Sequence, residues 1–261
     1  MPLILRNFSW AVTTLLEAVL LFYIIRRYLF RSHPSFVMYI VIAIVQSGLL
    51  ASSYYYFGST SAPAFYIGWG SQTVVICTRW LAVVEIAKKT LGEYVGIWAM
   101  ASRILFLLAT CVLVYSIASS GSRWTLLVLN ADRSVELCIA SFIVGMFIFI
   151  RYYRVPVANL ERMLAIGFCL YSCFVVINDS IYEYGRRSVG PLWNYLDMLT
   201  YTATLLLWIN AVRRSSGSPI EETLPGFSPE MHDELSQKLN SRLYQLNNRL
   251  NRLFRSEDSH S

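Results

Sequence analysis

The sequence predicts an all-α fold: a polytopic membrane protein built as a seven-transmembrane-helix bundle, N-terminus outside and C-terminus cytoplasmic, followed by a cytoplasmic amphipathic helix. Three observations carry this prediction. Of 261 residues, 56% are apolar and 15% charged, where a soluble domain has about 45–50% and about 25%. Seven apolar stretches are each long enough to cross a hydrocarbon core, which takes roughly 20 helical residues. The stretches are continuous rather than alternating, so they are helices and not the strands of a barrel. Seventeen Tyr, fourteen Phe and seven Trp suit the two bilayer interfaces, where amphipathic rings anchor. A soluble single-domain enzyme is excluded.

The first span, about 9–30, carries Glu17 near its middle and Thr13 one turn away on the same face. Its apolar core is long, only Arg6 precedes it and Arg26, Arg27 and Arg31 follow it, which marks a retained helix rather than a signal peptide. The second, about 36–57, closes in YYYFG. The third, about 64–87, holds Arg79 and Glu85 and ends at Lys88 and Lys89. The fourth, about 95–118, holds Arg103 some two turns from its cytoplasmic end, within snorkelling reach. The fifth, about 125–150, carries Asp132, Arg133 and Glu136; the sixth, about 157–182, opens on Glu161 and Arg162 and later carries Asn178 and Asp179; the seventh, about 191–212, carries Asn194, Asp197 and Tyr201. All connections are short, so residues 1–214 form one transmembrane domain. Residues 215–227, SSGSPIEETLPGF, are a linker by composition, 228–255 a cytoplasmic helix and 256–261 a disordered tail.

Sidedness follows from Lys and Arg in the short loops, which the cytoplasmic side holds in excess. With the N-terminus outside, the inner loops hold ten: Arg26, Arg27, Arg31, Lys88, Lys89, Arg151, Arg154, Arg162, Arg213 and Arg214. The outer side holds four: Arg6, Arg123, Arg186 and Arg187. A faint repeat links the first three spans to the last three. Glu17 precedes IIRRYLFRSHPSF as Glu136 precedes IFIRYYRVPVANL, YYYFG answers YEYG, and Trp69 and Trp193 open the third and seventh spans. A displacement of four spans keeps orientation, giving a 3+1+3 parallel repeat. That plan resembles the sugar-transporter and PQ-loop bundles in architecture, without their Pro-Gln signature.

Ionisable residues in the spans carry the functional information, because at mid-membrane each costs about 2.5–3.5 kcal/mol and therefore faces the bundle interior. An outer set, Glu17, Asp132, Arg133, Glu136, Asn178, Asp179, Asn194, Asp197 and Tyr201, is expected to line one outward-facing acidic pocket. Asp132 and Glu136 share a helix face, as do Asn194, Asp197 and Tyr201. Five carboxylates and one guanidinium leave a formal charge of −4, so protons, water or a cationic ligand must neutralise the pocket. Arg133 is expected to pair with Asp179 or Asp197 as the floor or wall of that pocket; the competing reading is that the pair merely clips helices together. An inner set, Arg79, Glu85 and Arg103 with Glu161 and Arg162, reads as a helix-locking network, or else an inner gate.

Missing residues exclude several chemistries. His33, His232 and His260 all lie outside the spans, which removes histidine-bound zinc and a Ser-His dyad from the membrane. No lysine occurs in spans four to seven for a retinal Schiff base, and Asp179 with Asp197 lacks the GxGD context of intramembrane aspartyl proteases. Cys77, Cys111, Cys138, Cys169 and Cys173 all fall within spans and read as small packing residues. No catalytic residue, metal or cofactor is expected.

The tail opens with Ser228-Pro229-Glu230, an N-cap, a first-turn proline and a first-turn acid. Leu239, Leu243, Leu246, Leu250 and Leu253 then repeat at four and three as a short heptad seam. Arg242, Arg249 and Arg252 flank the stripe, and Asn240, Asn247, Asn248 and Asn251 lower helicity, so something must hold this helix. A homodimer or cytoplasmic protein partner comes first, the anionic leaflet second, and nucleic acid is not expected.

The tail LPGFSPEMHDELSQKLNSRLYQLNNRLNRL, and the chain as a whole, resembles uncharacterised bacterial seven-helix integral membrane proteins of this length. The general plan is similar to the seven-helix input modules of bacterial sensors. The resemblance implies a bacterial inner membrane. Together these features lead us to expect a sensor or receptor-like protein whose outer pocket takes a small cation or proton and whose tail transmits the state. The alternatives are a small-solute or proton-coupled transporter of 3+1+3 type and a membrane scaffold without ligand.

Overall fold

The computed structural model describes residues 3–58, 61–92, 94–120, 124–153, 155, 157–184, 190–214, 241–242 and 244–249. Seven long helices and one single-turn helix follow in order: α1 (Leu3–Arg26), α2 (Leu29–Ser32), α3 (Pro34–Phe57), α4 (Ala62–Leu91), α5 (Val95–Ser120), α6 (Trp124–Tyr153), α7 (Asn159–Tyr184) and α8 (Gly190–Arg214). Among the described residues there is no strand. Four segments, Pro34–Phe57, Gly96–Ser119, Asn130–Tyr152 and Asn159–Asn178, are long and apolar enough to cross a membrane. They give the chain the build of a multi-pass membrane protein. In α4 the apolar run is interrupted by Ser71, Gln72, Thr73 and Arg79.

The breaks between helices are local chemistry. Tyr28 takes a left-handed φ of 54°, which parts α1 from α2. His33 closes α2 by donating its N–H to Leu29 O at 2.7 Å, and Pro34 opens α3 at the one position where its missing N–H costs nothing. Gly58, at φ 79°, ends α3 in a conformation that glycine adopts without a Cβ penalty. The Ser61 hydroxyl accepts from Ala64 N at 3.3 Å and starts α4.

Six helices close a ring in the order α1, α3, α4, α6, α7, α8 and back to α1, and α4 also reaches α7 across it. Helix α5 packs outside the ring, against α6 and α4. The outward surface is apolar, with Leu15, Phe22, Val45, Phe106, Leu113 and Ile148 exposed, as a lipid-facing surface requires. Lipid tails are as apolar as leucine, so packing and polar contacts hold such helices together. One end of the bundle is basic: Arg26, Lys88, Lys89, Arg151, Arg213 and Arg214 occupy the last turns of α1, α4, α6 and α8. Arg27 donates to Arg213 O at 3.2 Å there, and Phe36 N donates to Glu85 Oε2 at 3.0 Å.

Above that end sits an aromatic plug of Phe36, Tyr39, Phe168 and Trp208, all buried, with ring centroids 4.8–6.1 Å apart and mostly edge to face. Trp208 donates its indole N–H to Leu164 O at 3.2 Å. Gly167 makes room for that indole, since a Cβ there would collide with Trp208 Nε1.

Candidate functional site

Beyond the plug, a belt of polar side chains runs through all six ring helices. Glu17, Gln46, Arg79, Glu136, Ser172 and Tyr201 each lie within one helical turn of the midpoint of α1, α3, α4, α6, α7 and α8 respectively. In a membrane-spanning bundle that is the depth at which polar groups are most expensive and must bond one another.

At the centre, Arg79 forms an ion pair with Glu136, and Asp132 Oδ1 lies 3.8 Å from the same guanidinium nitrogen. Ser172 donates its hydroxyl to the other oxygen of Glu136 at 2.5 Å. Glu136 and Ser172 are fully buried and Arg79 nearly so. Asp132, toward the end away from the arginines, is held by Gln72 at 2.9 Å, and Gln72 in turn accepts from Gln46 at 3.0 Å. The Arg79 guanidinium also lies over two rings, 4.9 Å from the centroid of Tyr171 and 5.7 Å from that of Tyr39. Tyr171 stacks obliquely on Tyr201 at 5.5 Å, and Tyr201 donates to Glu17 Oε1 at 2.6 Å. One guanidinium thus ties α4 to α6 directly and to α3 and α7 through aromatic faces. The plug closes the basic side of this belt, whereas Asp132 keeps its side chain 21% exposed on the other.

The placement of the sequence-predicted residues changes one grouping. Arg79, assigned by depth to an inner network with Glu85 and Arg103, instead joins Asp132 and Glu136 of the outer set. The reason is that α4 packs against α6, a neighbour 57 residues on (79 to 136). Glu85 is occupied by the Phe36 N–H, and Arg103 is exposed on the peripheral α5. Glu161 meets His33, whose Nε2 is 3.3 Å from its Oε1. Glu17 and Tyr201 come together, Arg133 is half-buried on α6, and Asn178 is half-buried on α7 with its Oδ1 buried and without a hydrogen-bond partner. The side chains of Asp179, Asn194 and Asp197 lie outside the described residues, and so does the expected pairing of Arg133 with either aspartate.

Several belt residues escaped the sequence reading. Gln46 and Gln72 are the only glutamines before the tail and stand in the middle of apolar runs; an intramembrane amide was itself a signal. Ser172, Tyr39 and Tyr171 carry no such signal, because Ser and Tyr are ordinary in spans. His33, which the sequence places outside the spans, is buried at the α2–α3 corner against Glu161.

At the basic end the tail returns to the bundle. Residues 241–242 and 244–249 are helical, Asn247 is buried, and its Oδ1 accepts from Gly96 N at 2.6 Å in the first turn of α5. Tyr244 rests on Tyr94 with ring centroids 6.1 Å apart. The first-turn N–H groups of a helix lack intrahelical partners, and an asparagine oxygen is a good one. Of the leucine stripe, Leu246 is half-buried, while Leu239, Leu243, Leu250 and Leu253 lie outside the described residues. Comparison with known protein families, curated proteins and solved structures finds no match for this chain.

Proposed function

We propose that this protein is an integral membrane sensor with seven spans, its N-terminus outside and its tail cytoplasmic, in which the Arg79–Asp132–Glu136 site is the input and the tail helix the output. One observation carries the reading: α4 holds Arg79 at its middle, and the chain that leads from α4 into the first turn of α5 supplies Tyr94 and Gly96, which contact Tyr244 and Asn247 of the tail. A displacement of Arg79 relative to α6 is passed along a rigid helix to the seat of the tail. The input ligand is a small cation or a proton, because the described core of the site has two carboxylates to one guanidinium. Asp132, the partly exposed member, is where it enters.

The test is hydrogen exchange at the amides of residues 94–97 in full-length protein reconstituted in lipid, comparing wild type with Asp132→Asn and Glu136→Gln. Changed exchange at this remote turn supports the sensor; identical exchange in all three overturns it.

The rival reading, a proton-coupled or small-solute transporter of 3+1+3 type, is favoured by two features. The polar belt lies at the bundle's mid-depth, and α5 stands outside a ring made of two sets of three helices. Solute or proton flux into proteoliposomes that is abolished by Asp132→Asn would favour it over the sensor.

A further inference from the structure

We propose that Glu17 is a proton-binding site of this protein, separate from the Arg79 ion pair. The proposal rests on the reading of the mid-bundle belt as the input. Glu17 is 3% exposed. Its Oε1 accepts the Tyr201 hydroxyl at 2.6 Å, while its Oε2 is buried without a hydrogen-bond partner. A carboxylate enclosed this way keeps its charge at a cost that one hydroxyl does not offset, whereas a proton on Oε2 removes the charge and needs no added space.

The charge count leads the same way. Arg79 with Asp132 and Glu136 already sums to −1 (+1 −2), and an ionised Glu17 would bring the belt to −2. Asp132 and Glu136 sit at the guanidinium. Glu17 instead bonds the phenol of Tyr201 from α8; Tyr171 of α7 stacks on Tyr201, and Tyr39 of α3, which lies under Arg79 of α4, is the other phenol of the belt. On its own helix, Thr13 donates its hydroxyl to Trp10 O at 2.9 Å.

The experiment is a pH titration of full-length protein in lipid vesicles, followed by the infrared carbonyl stretch of protonated carboxylic acids. The expected result is a band lost as pH rises, missing from Glu17→Gln and retained in Asp132→Asn and Glu136→Gln. Tyr201→Phe, which removes the donor to the carboxylate, is expected to move its loss to higher pH. A wild type with no titrating band, a band retained in Glu17→Gln, or a band that follows sodium replacement by choline rather than pH overturns the proposal. Should Glu17→Gln fail to fold, Tyr201→Phe decides alone, a shifted band supporting the site and an unshifted one overturning it. Hydrogen exchange at residues 94–97 in the same vesicles separates the two readings. A Glu17 band with unmoved exchange leaves the proton site standing and removes the sensor, and moved exchange without the band does the reverse.

Discussion

Arg79 is the residue on which the bundle turns, because it pairs with the carboxylates of α6 and lies over rings from α3 and α7, contacts with three other helices. Removing only one member of a buried pair strands the other, at about 3–5 kcal/mol, whereas replacing both by apolar groups is often neutral. Arg79→Leu is therefore expected to lower the melting temperature in detergent steeply, and Arg79→Leu with Glu136→Leu to recover much of the loss. Simple addition of the two single effects in the double variant would show that the pair is uncoupled. Gly167 is the second residue with a sharp expectation. An alanine Cβ would meet the Trp208 indole, and overpacking of this kind costs about 1–3 kcal/mol. Gly167→Ala should melt early, and Trp208→Phe should relieve part of that penalty, a coupling that a double-mutant cycle measures. At this scale the sequence was legible wherever a charge interrupts an apolar run, as at Glu17, Asp132 and Glu136. It was silent about which charges meet, since Arg79 and Glu85 share a helix, whereas Arg79 and Glu136 share only a packing contact.

The helices themselves were the most legible level, because apolar length is a local property that packing does not overrule. The tail was legible in part. Its leucine spacing reads as a seam, and Asn247 reads as a residue that weakens a helix; in the fold that asparagine is the contact that fastens the helix to the bundle. The two roles are compatible, since a short helix of low propensity needs an external partner to persist. Asn247→Ala removes the acceptor for Gly96 N, a loss of about 0.5–2 kcal/mol at a helix start. Faster exchange of the Gly96 amide and loosening of residues 244–249 are expected, with the exposed Asn248→Ala as the control. Equal exchange in both variants would show that the tail is not held through this bond.

At the scale of the whole molecule, chain connectivity predicts that consecutive helices pack together, as α3 and α4 or α7 and α8 do. It does not predict that α1 closes the ring on α8, that α4 meets α6, or that α5 is left outside. Those contacts join residues more than a hundred positions apart in the case of Glu17 and Tyr201, and no local pattern encodes them. Sidedness is different, because it is a sum over loops. The contacts of Arg27 with Arg213, Phe36 with Glu85 and His33 with Glu161 bring the last turns of α1, α4 and α8 and the first turns of α3 and α7 to one end. The basic loop residues thereby become a single positive face rather than scattered charges. Positive faces are retained on the cytoplasmic side. In the seven-span arrangement proposed above, the chain's two ends then lie on opposite sides. A cysteine at Ser59, in the connection between α3 and α4, is expected to react with a membrane-impermeant reagent on intact cells. A cysteine at Ser216, just past Arg214, is expected to react only after permeabilisation. Equal labelling of both from outside would overturn the assignment of the basic face and, with it, the side to which the proposed input at Asp132 opens.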